Sequence, residues 1–478
     1  MNRQIARLFA LIVLLFGLLV AFTSRWSVFE AQSLQDETAN KRPLLEAQRI
    51  PRGLIYADDG TKLAVNHRSG NHETLRYSRV YPQGRLFSHA IGYAFISRGS
   101  AGIEKSYNRE LTGRENEFKS LIDSFSGGTK EGDDLRTTLD PAAQRTALAA
   151  LAGRRGSIVA IEPKTGAVKV MASIPDYDPN QVPTHYKELN SAENGSPLFN
   201  RATQARYPPG STFKVVTAAA ALDSGRYTPE SIVDGRNNKV ISGVPLQNFG
   251  GEDPGPVSLT DALTHSVNTV FGEIGEKLGK RTMYKYMRRF GFNSTLGTDL
   301  PSSEVTPSGV FKGQRLLGAG DSVDIGRVAI GQERLQVTPL QMAMVVAAVG
   351  NRGRSMEPRI VSRVVAPDGS VRDSRGPKER ATVMSRKAAG RLATMMGNVV
   401  ESGTGTAAQI PGVRVAGKTG TAQVPGATQA WFVAFAPLED PRVAIAVTVE
   451  RSDQSLTGGE VAAPLAKQVM EVLLRSDG

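Results

Sequence analysis

The sequence predicts an α+β fold in which one antiparallel sheet is built from both ends of a domain. Two strand-like runs follow residue 155, three more follow residue 412, and the residues between them are patterned mostly as helices. Strands that flank a helical insert can pair in one sheet when the two ends of the domain meet. An apolar run near the N-terminus, followed by a polar region, adds a membrane helix and a second, irregular α+β domain.

Length and composition are those of a folded protein with more than one domain. The 478 residues exceed one ordinary core, and 40% hydrophobic with 22% charged residues is typical of globular chains. Cysteine is absent from the sequence, which excludes disulfides, thiolate metal sites and cysteine nucleophiles. The net charge of +12 favours anionic surfaces such as lipid head groups or wall polymers. The basic residues are dispersed and form no stripe with aromatic residues, so no nucleic-acid partner is expected.

The first element is an apolar run from Leu8 to Phe22, bounded by Arg7 and Arg25. A helix over residues 8–24 would be roughly 25 Å long, enough to span a bilayer if the arginine side chains extend to the head groups. No small-x-small cleavage site follows, so we interpret the run as an uncleaved, single-pass anchor in the cell membrane. The positive charges before it predict that residues 1–7 are cytoplasmic and that the rest of the chain is outside.

The second element, residues 25–150, is predicted to be an extended, irregular α+β pedestal without catalytic residues. Short strand-like runs lie between turns in this region, for example Gly53 to Tyr56 before an Asp-Asp-Gly turn. Asp140 then precedes a helical stretch, Ala142 to Leu151, which we interpret as the connector into a second domain at residues 151–478.

The second domain is predicted to run from strands through a helical middle and back to strands. Two turn-rich segments, 301–323 and 366–378, are predicted surface loops. Strands are predicted at Gly156–Ile161, Ala167–Met171, Val413–Gln423, Trp431–Ala436 and Val443–Val449. Helices are predicted at Val215–Leu222, Leu259–Phe271, Thr338–Val349 and Pro464–Arg475.

A serine and a lysine three residues apart, Ser211 and Lys214, stand at the start of the first of these helices. Residues three apart on a helix share a face, so the hydroxyl and the amine can touch. A hydroxyl becomes a good nucleophile when a neighbouring base takes its proton, and a lysine serves as that base when burial or a nearby cation lowers its pKa. The N–H groups of the helix N-terminus can also face a developing oxyanion. A capping serine beside a surface lysine is the common alternative, and the motif occurs once in the chain.

Two further motifs supply the other groups that serine–lysine chemistry needs. Ser266-Val267-Asn268 lies in the helical middle, and Lys418-Thr419-Gly420-Thr421 lies on a late strand. A second lysine keeps the first partly neutral and attracts a substrate carboxylate. A second serine can relay a proton, an asparagine can bind a substrate amide, and a strand glycine lets a substrate backbone approach.

Similar strings elsewhere in the chain have simpler explanations. Ser69-Gly70-Asn71 lies in the polar N-terminal region, and Lys164-Thr165-Gly166 lies at a hairpin tip. Residues 412–419 match the phosphate-binding pattern G-x-x-x-x-G-K-T, but they alternate as a strand and no helix signal follows, so a nucleotide site is not expected. The five histidines lack metal-ligand spacing, and no metal or cofactor is predicted.

Taken together, the three motifs resemble those of the penicillin-recognising acyl-serine transferases. Within that family the chain resembles the class B penicillin-binding proteins, which are membrane-anchored D,D-transpeptidases, and it is most similar to the actinobacterial penicillin-binding protein A group. The resemblance extends over nearly the whole chain. The segments that carry it are Arg52–Tyr56, Thr138–Asp140, Tyr207–Lys214, Thr338–Ala343 and Gly417–Ala422. It implies a serine β-lactamase/transpeptidase-like domain, an antiparallel sheet with helices on both faces plus a helical lobe.

The resemblance also implies a role for each motif residue in cross-linking peptidoglycan stem peptides. Ser211 would attack the penultimate D-alanine of a donor stem, or a β-lactam that mimics it. Lys214 would be the acylation base. The remaining roles implied are proton relay for Ser266 and Lys418, peptide binding for Asn268, and substrate binding for the strand residues Thr419, Gly420 and Thr421.

Several relatives and functions are weighed against this one. A β-lactamase would lack the long region before the catalytic domain, and residues 24–150 are too short for the glycosyltransferase domain of a bifunctional enzyme. A D,D-carboxypeptidase, a penicillin sensor and a non-catalytic scaffold for wall synthesis are the alternatives. The resemblance implies a SEDS-type glycosyltransferase as partner. Four questions stay open at this point: which amine is the acceptor, whether the protein serves septal or lateral wall synthesis, what its oligomeric state is, and which lysine is the general base.

Overall fold

The computed structural model describes residues 2–24, 50–71, 75–113, 131–424, 426–452 and 456–476. Residues 25–49 of the predicted pedestal and Arg25 at the end of the predicted anchor therefore lie outside the described residues. The first helix, α1 (Asn2–Ser24), contains the one span among the described residues that is long and apolar enough to cross a membrane. Its window from Arg3 to Val20 has a mean hydropathy of 2.0, and none of it is buried.

The predicted sheet is present, and its five strands come from both ends of the domain. The strand order is β20-β21-β22-β7-β8, with all neighbours antiparallel. The bounds are β7 (Gly156–Ile161), β8 (Val168–Ile174), β20 (Ala416–Val424), β21 (Ala427–Ala436) and β22 (Val443–Ser452). Strand β20 begins three residues later than predicted, because Val413 pairs back with Ile410 across Gly412, which has a φ of +75°.

Both faces of this sheet are covered by helices, because alternate residues of each strand bury opposite sides. Val159 faces the same core as helix α11 (Pro339–Gly350), whereas its neighbour Ile158 faces helices α5 (Pro141–Leu151) and α14 (Ala463–Ser476). Helix α5 starts at Asp140, whose carboxylate accepts the Ala143 N–H at 2.8 Å. The stretch interpreted as a connector thus packs on the sheet as part of its core.

The helical lobe surrounds α7 (Lys214–Asp223), of which every residue up to Leu222 is buried. The helix predicted at 259–271 is instead two helices, α8 (Leu259–Thr264) and α9 (Asn268–Phe290). The break occurs because Ser266 adopts a left-handed backbone with a φ of +62°. Helix α12 (Arg386–Glu401) closes the lobe between α7, α8 and β20. Shorter helices of the domain are α6 (Val182–Leu189), α10 (Ile325–Ala329) and α13 (Gly458–Val461).

The pedestal contains a six-stranded sheet of order β18-β17-β6-β1-β2-β3. Four strands come from the pedestal itself: β1 (Ile55–Tyr56), β2 (Lys62–Ser69), β3 (Arg76–Val80) and β6 (Asp134–Thr137). The other two, β17 (Val361–Val365) and β18 (Val371–Ser374), come from late in the chain. The prediction of a surface loop at 366–378 was therefore wrong in part, since β18 is exposed but paired with β17. The remaining pedestal elements are α2 (Ser88–Ile91), α3 (Gly102–Ser106), α4 (Asn108–Leu111), β4 (Ala94–Phe95) and β5 (Gly99–Ser100).

The remaining short strands of the second domain form four small sheets. These are β9 (Ile232–Asp234) with β12 (Pro256–Ser258), β10 (Lys239–Ile241) with β11 (Val244–Leu246), β13 (Gly309–Lys312) with β14 (Arg315–Leu316) and β15 (Leu335–Gln336), and β16 (Arg354–Met356) with β19 (Glu379–Thr382).

A buried ion cluster stabilises the pedestal. The Glu104 carboxylate is fully buried and accepts the Nε–H of Arg52 at 2.7 Å and the Nε–H of Arg79 at 2.5 Å. Burial alone would raise the pKa of Glu104, but the two guanidinium groups outweigh it and hold the pKa below its ordinary value. The pedestal therefore keeps this carboxylate ionised between two cations.

Candidate active site

Ser211 lies in a 3-10 turn, Gly210–Phe213, that leads directly into α7. Gly210 has a φ of +52°, and a Cβ there would lie 3.0 Å from the carbonyl oxygen of Thr421, so the turn requires glycine. From residue 209 to residue 222 every residue is buried except Ser211, which is partly exposed. The fold thus presents the Ser211 hydroxyl to solvent while it buries the neighbours that hold it.

Lys214 is fully buried at the first position of α7. Its Nζ donates to the Ser266 carbonyl oxygen at 2.6 Å, to Asn268 Oδ1 at 2.7 Å and to Ser266 Oγ at 3.2 Å. Burial, and secondly the charge of Lys418, lower the pKa of Lys214 well below its ordinary value. The amine is therefore held firmly by three oxygens and yet loses its proton far more easily than a surface lysine does.

Ser266 occupies the junction between α8 and α9 in a conformation that usually selects glycine. Its φ is +62°, its N–H donates to the Leu263 carbonyl, and the Val267 N–H donates to the Ala262 carbonyl at 2.9 Å. This pair of hydrogen bonds is a Schellman cap, in which the residue at the position of Ser266 is left-handed. A serine here costs backbone strain, and strain of this kind is common at functional sites.

Lys418 approaches Ser266 from strand β20 on the opposite side. Its Nζ donates to Ser266 Oγ at 2.9 Å and to the Thr419 carbonyl oxygen at 3.1 Å. Burial lowers the pKa of Lys418 to about 7. Among the described residues, every oxygen that accepts a hydrogen bond from the Nζ of Lys214 or Lys418 is neutral. The Ser266 hydroxyl therefore bridges two buried lysines, and within the described ranges no carboxylate pairs with either of them.

The Asn268 side chain is oriented by hydrogen bonds at both ends. Its Oδ1 accepts from Lys214, and its Nδ2 donates to the Gln247 carbonyl at 2.9 Å. The amide has two N–H donors, so one remains for a ligand in the cleft.

Strand β20 lies against the serine turn because Gly420 has no side chain. A Cβ at Gly420 would lie 2.8 Å from both the Pro209 carbonyl oxygen and Thr212 Cγ2. The next residue, Thr421, accepts the Gly458 N–H on its Oγ1 at 3.0 Å, which fixes its rotamer. The glycine thus brings Thr421 and the serine turn into one cleft.

Thr404 is a site residue that the sequence reasoning missed. It is exposed, and its Oγ1 lies 2.6 Å from Thr419 Oγ1, while its N–H donates to the Thr264 carbonyl at 3.3 Å. It therefore connects the strand motif to the helix that ends beside Ser266. The sequence does carry a signal for Thr404, namely the glycine on either side of it. The structure explains the first of these, since a Cβ at Gly403 would lie 2.4 Å from the Thr264 carbonyl oxygen.

The structure brings all three predicted motifs together and leaves the look-alike strings apart. Ser69-Gly70-Asn71 ends strand β2 of the pedestal, and Lys164 lies at the β7–β8 turn, where it pairs with Asp440. The predicted contact between Ser211 and Lys214 is not a hydrogen bond among the described residues. The reason is that the three donors of Lys214 are occupied by oxygens of Ser266 and Asn268.

Comparisons with known families agree with this geometry. Residues 156–471 match the penicillin binding protein transpeptidase domain, and residues 52–135 match the penicillin binding protein A dimerisation domain. Over 99% of both chains, the sequence is 34% identical to the peptidoglycan D,D-transpeptidase PbpA of Mycolicibacterium smegmatis. It is 32% identical to the PbpA of Mycobacterium tuberculosis over the full length of both chains.

Solved structures give the same result. Penicillin-binding protein A from M. tuberculosis, as a ceftriaxone acyl-enzyme complex, superposes with a TM-score of 0.81 at 32% identity, covering 90% of this chain and all of that one. The D,D-transpeptidase domain of a peptidoglycan glycosyltransferase from Eggerthella lenta has a TM-score of 0.79 at 33% identity, covering 90% of this chain and 99% of the other.

Proposed function

Because this chain belongs to the penicillin-binding protein transpeptidase family, we propose that it cross-links peptidoglycan stem peptides through an acyl-serine at Ser211. The observation that supports it most is the pair of buried lysines that share the Ser266 hydroxyl beside the exposed Ser211. Burial lowers the pKa of both amines, that of Lys418 to about 7, and activation of a serine hydroxyl requires a base of this kind.

In the acylation step, the Ser211 hydroxyl gives its proton to the neutral Lys214 amine as Oγ bonds to the carbonyl carbon of the penultimate D-alanine. The carbonyl oxygen becomes an oxyanion between the N–H groups of Ser211 and Thr421. The C–N bond then breaks, and the leaving amine of the terminal D-alanine receives a proton from the Ser266 hydroxyl. Lys214, which took the Ser211 proton, returns one proton to Ser266 Oγ, while Lys418 donates a hydrogen bond to that oxygen and holds it in place for the relay.

The substrate is held along strand β20 and by Asn268. The free N–H of Asn268 donates to a peptide carbonyl, and the hydroxyls of Thr419 and Thr421 bind the terminal carboxylate. Gly420 leaves room for the serine turn at Pro209 and Thr212, and so keeps Ser211 next to the strand that holds the substrate. Thr404 shares a hydrogen bond with Thr419, with 2.6 Å between the two Oγ1 atoms, and it therefore holds the Thr419 hydroxyl in place beside the carboxylate. It is a positioning residue in this scheme.

In the second step the amine of an acceptor stem attacks the ester carbonyl, and Ser211 leaves with the proton that the amine loses. Water in place of the amine would make the protein a D,D-carboxypeptidase. A β-lactam enters at the first step, because its strained amide replaces the D-alanyl-D-alanine bond and its carboxylate replaces the terminal one.

Helix α1 supports a proposal for where this site lies in the cell. In our proposal residues 1–7 are cytoplasmic, residues 8–24 cross the cell membrane once, and the pedestal and catalytic domain from residue 25 to residue 478 are outside. We divide those two domains near residue 140, because α5 packs in the catalytic core. A SEDS-type glycosyltransferase that contacts the anchor and pedestal is the proposed protein partner.

The test is covalent labelling of the full-length protein with a fluorescent penicillin, with Ser211→Ala as the matched control. We expect stoichiometric labelling of the wild type on Ser211 and none of the variant. Undiminished labelling of Ser211→Ala, or an unlabelled wild type, would contradict the enzyme assignment. Product analysis with a donor peptide and an acceptor amine then separates cross-linked product from hydrolysed product. Cells that grow and divide normally with Ser211→Ala, but not without the protein, would favour a scaffold.

A further inference from the structure

A groove of about 490 Å³ lies beside the segment that leads to Ser211. Three of its lining residues are arginines, and one is a glutamate. Its polar residues include Arg155, Arg201, Arg206, Gln204, Gln336 and Glu450. The catalytic scheme uses none of them.

The charges in this groove do not balance. The Glu450 carboxylate accepts the Arg201 Nε–H at 2.9 Å, the Arg155 Nε–H at 3.0 Å and the Tyr207 hydroxyl at 2.6 Å. Two arginines therefore share one carboxylate. Arg206 has no ion pair among the described residues: its guanidinium donates to the neutral Gln314 Oε1 at 2.7 Å and stacks 4.1 Å from the centre of the Phe311 ring. Three positive charges against one negative charge leave the groove with an excess of two.

The groove is rigidly linked to the nucleophile. The backbone of Tyr207 exchanges hydrogen bonds of 2.9 and 2.8 Å with Val337, and the Trp431 indole donates to the Pro208 carbonyl at 3.0 Å. Arg206 is five residues from Ser211, so their Cα atoms are at most about 18 Å apart. An extended peptide of about five residues covers that distance.

We propose that this groove binds a carboxylate-bearing segment of the peptide substrate, with Arg206 as the residue that contacts the carboxylate. A guanidinium fork matches a carboxylate through two parallel hydrogen bonds. Gln204 and Gln336 add amide groups that can pair with a peptide backbone, which favours a peptide over a phosphate-bearing polymer. The inference rests on the proposed function and assigns it a substrate class, namely acidic stem peptides.

The test compares two synthetic D-alanyl-D-alanine peptides that differ in one side chain, a carboxylate in the first and its carboxamide in the second. With the full-length protein, Arg206→Gln should raise the KM for the acidic peptide roughly tenfold and leave the KM for the amidated peptide within about twofold. Arg206→Lys should restore part of the difference, since it keeps the charge. The rate of penicillin acylation should stay at the wild-type value, because penicillin lacks the peptide segment that is proposed to occupy the groove.

Arg145→Gln is the matched control, since the Arg145 guanidinium also donates to a glutamine, Gln83, but lies outside the groove. It should leave both peptides unaffected. The proposal is overturned if Arg206→Gln affects the two peptides equally or not at all. It is also overturned if inorganic phosphate binds in the groove and the wild type has the same KM for the two peptides. A wild type that fails to react with penicillin would instead contradict the proposed function.

Discussion

The pedestal and the catalytic cleft each bring two cations close together, but in opposite surroundings. In the pedestal, Arg52 and Arg79 share the carboxylate of Glu104, and all three groups stay charged. In the cleft, Lys214 and Lys418 share the neutral hydroxyl of Ser266, and burial lowers the pKa of both.

The difference shows how one fold uses buried charge for two purposes. A buried cation with a counter-charge is a structural element whose removal leaves its partner unpaired. A buried cation that has no counter-charge destabilises the fold while it is protonated. It also loses its proton easily, and the neutral amine that results can act as a base. Substitutions in the two regions should therefore affect different observables.

The largest effect is expected for Lys214→Met, which keeps the size of the side chain and removes the base. Acylation of Ser211 by penicillin should slow by about a thousandfold or more, because the hydroxyl proton loses its acceptor. The free energy of unfolding should not fall, since no counter-charge is left unpaired. Rapid-mixing fluorescence gives the rate, and urea denaturation gives the stability. A near-normal rate would assign the base role to another group, with Lys418 the first candidate.

Glu104→Gln should do the reverse in the pedestal. It leaves the buried guanidinium of Arg79 and the partly exposed one of Arg52 with a neutral partner, and we expect a loss of about 3 kcal/mol in the free energy of unfolding. The folded protein should react with penicillin at the wild-type rate. Glu379→Gln, which breaks the more exposed pair with Arg354, is the control and should lower the free energy of unfolding far less. The comparison fails if Glu104→Gln slows acylation without lowering stability.

The next effect depends on pH and concerns Lys418, whose pKa is about 7 in the fold against 10.5 ordinarily. Below pH 7 the Lys418 amine is protonated in both the folded and the unfolded chain, and the folded state carries the full cost of burying that charge. Between pH 7 and 10.5 the unfolded chain binds the extra proton, so the stability of the wild type rises with pH. Lys418→Met should therefore be more stable than the wild type at about pH 6, by a margin that shrinks towards about pH 10. Urea midpoints across this range measure it, and a margin that does not change with pH would contradict the assignment.

The smallest effect concerns the strain at Ser266. Ser266→Gly and Ser266→Ala both remove the bridging hydroxyl, so both should slow acylation to a similar extent. Glycine relieves the left-handed backbone, and alanine does not, so the glycine variant should be about 1 kcal/mol more stable than the alanine variant. Equal stabilities would mean that the junction is not strained.

The sequence was sufficient for the parts of this molecule that are local. Alternating apolar residues predicted the five strands, and the order of the motifs along the chain predicted which serine, lysine and asparagine residues lie together, while the look-alike strings lie elsewhere. It was not sufficient where backbone geometry or distant pairing decides. The left-handed φ of Ser266 breaks a segment that has helical periodicity. The residue types around Ser266 do not indicate this break. Thr404 and the groove at Arg206 depend on contacts between segments far apart in the chain.

The pairing of β17 with β6 also sets an order of events during synthesis. Strand β6 ends at Thr137, yet its neighbour β17 starts at Val361, more than two hundred residues later. A chain made from its N-terminus must hold an open strand edge at β6 until most of the catalytic domain has been made. A product truncated between these strands would expose that edge to other chains. The pedestal sheet is thus completed late, when the chain has been made as far as residue 374 but β20, β21 and β22 of the catalytic domain have still to follow.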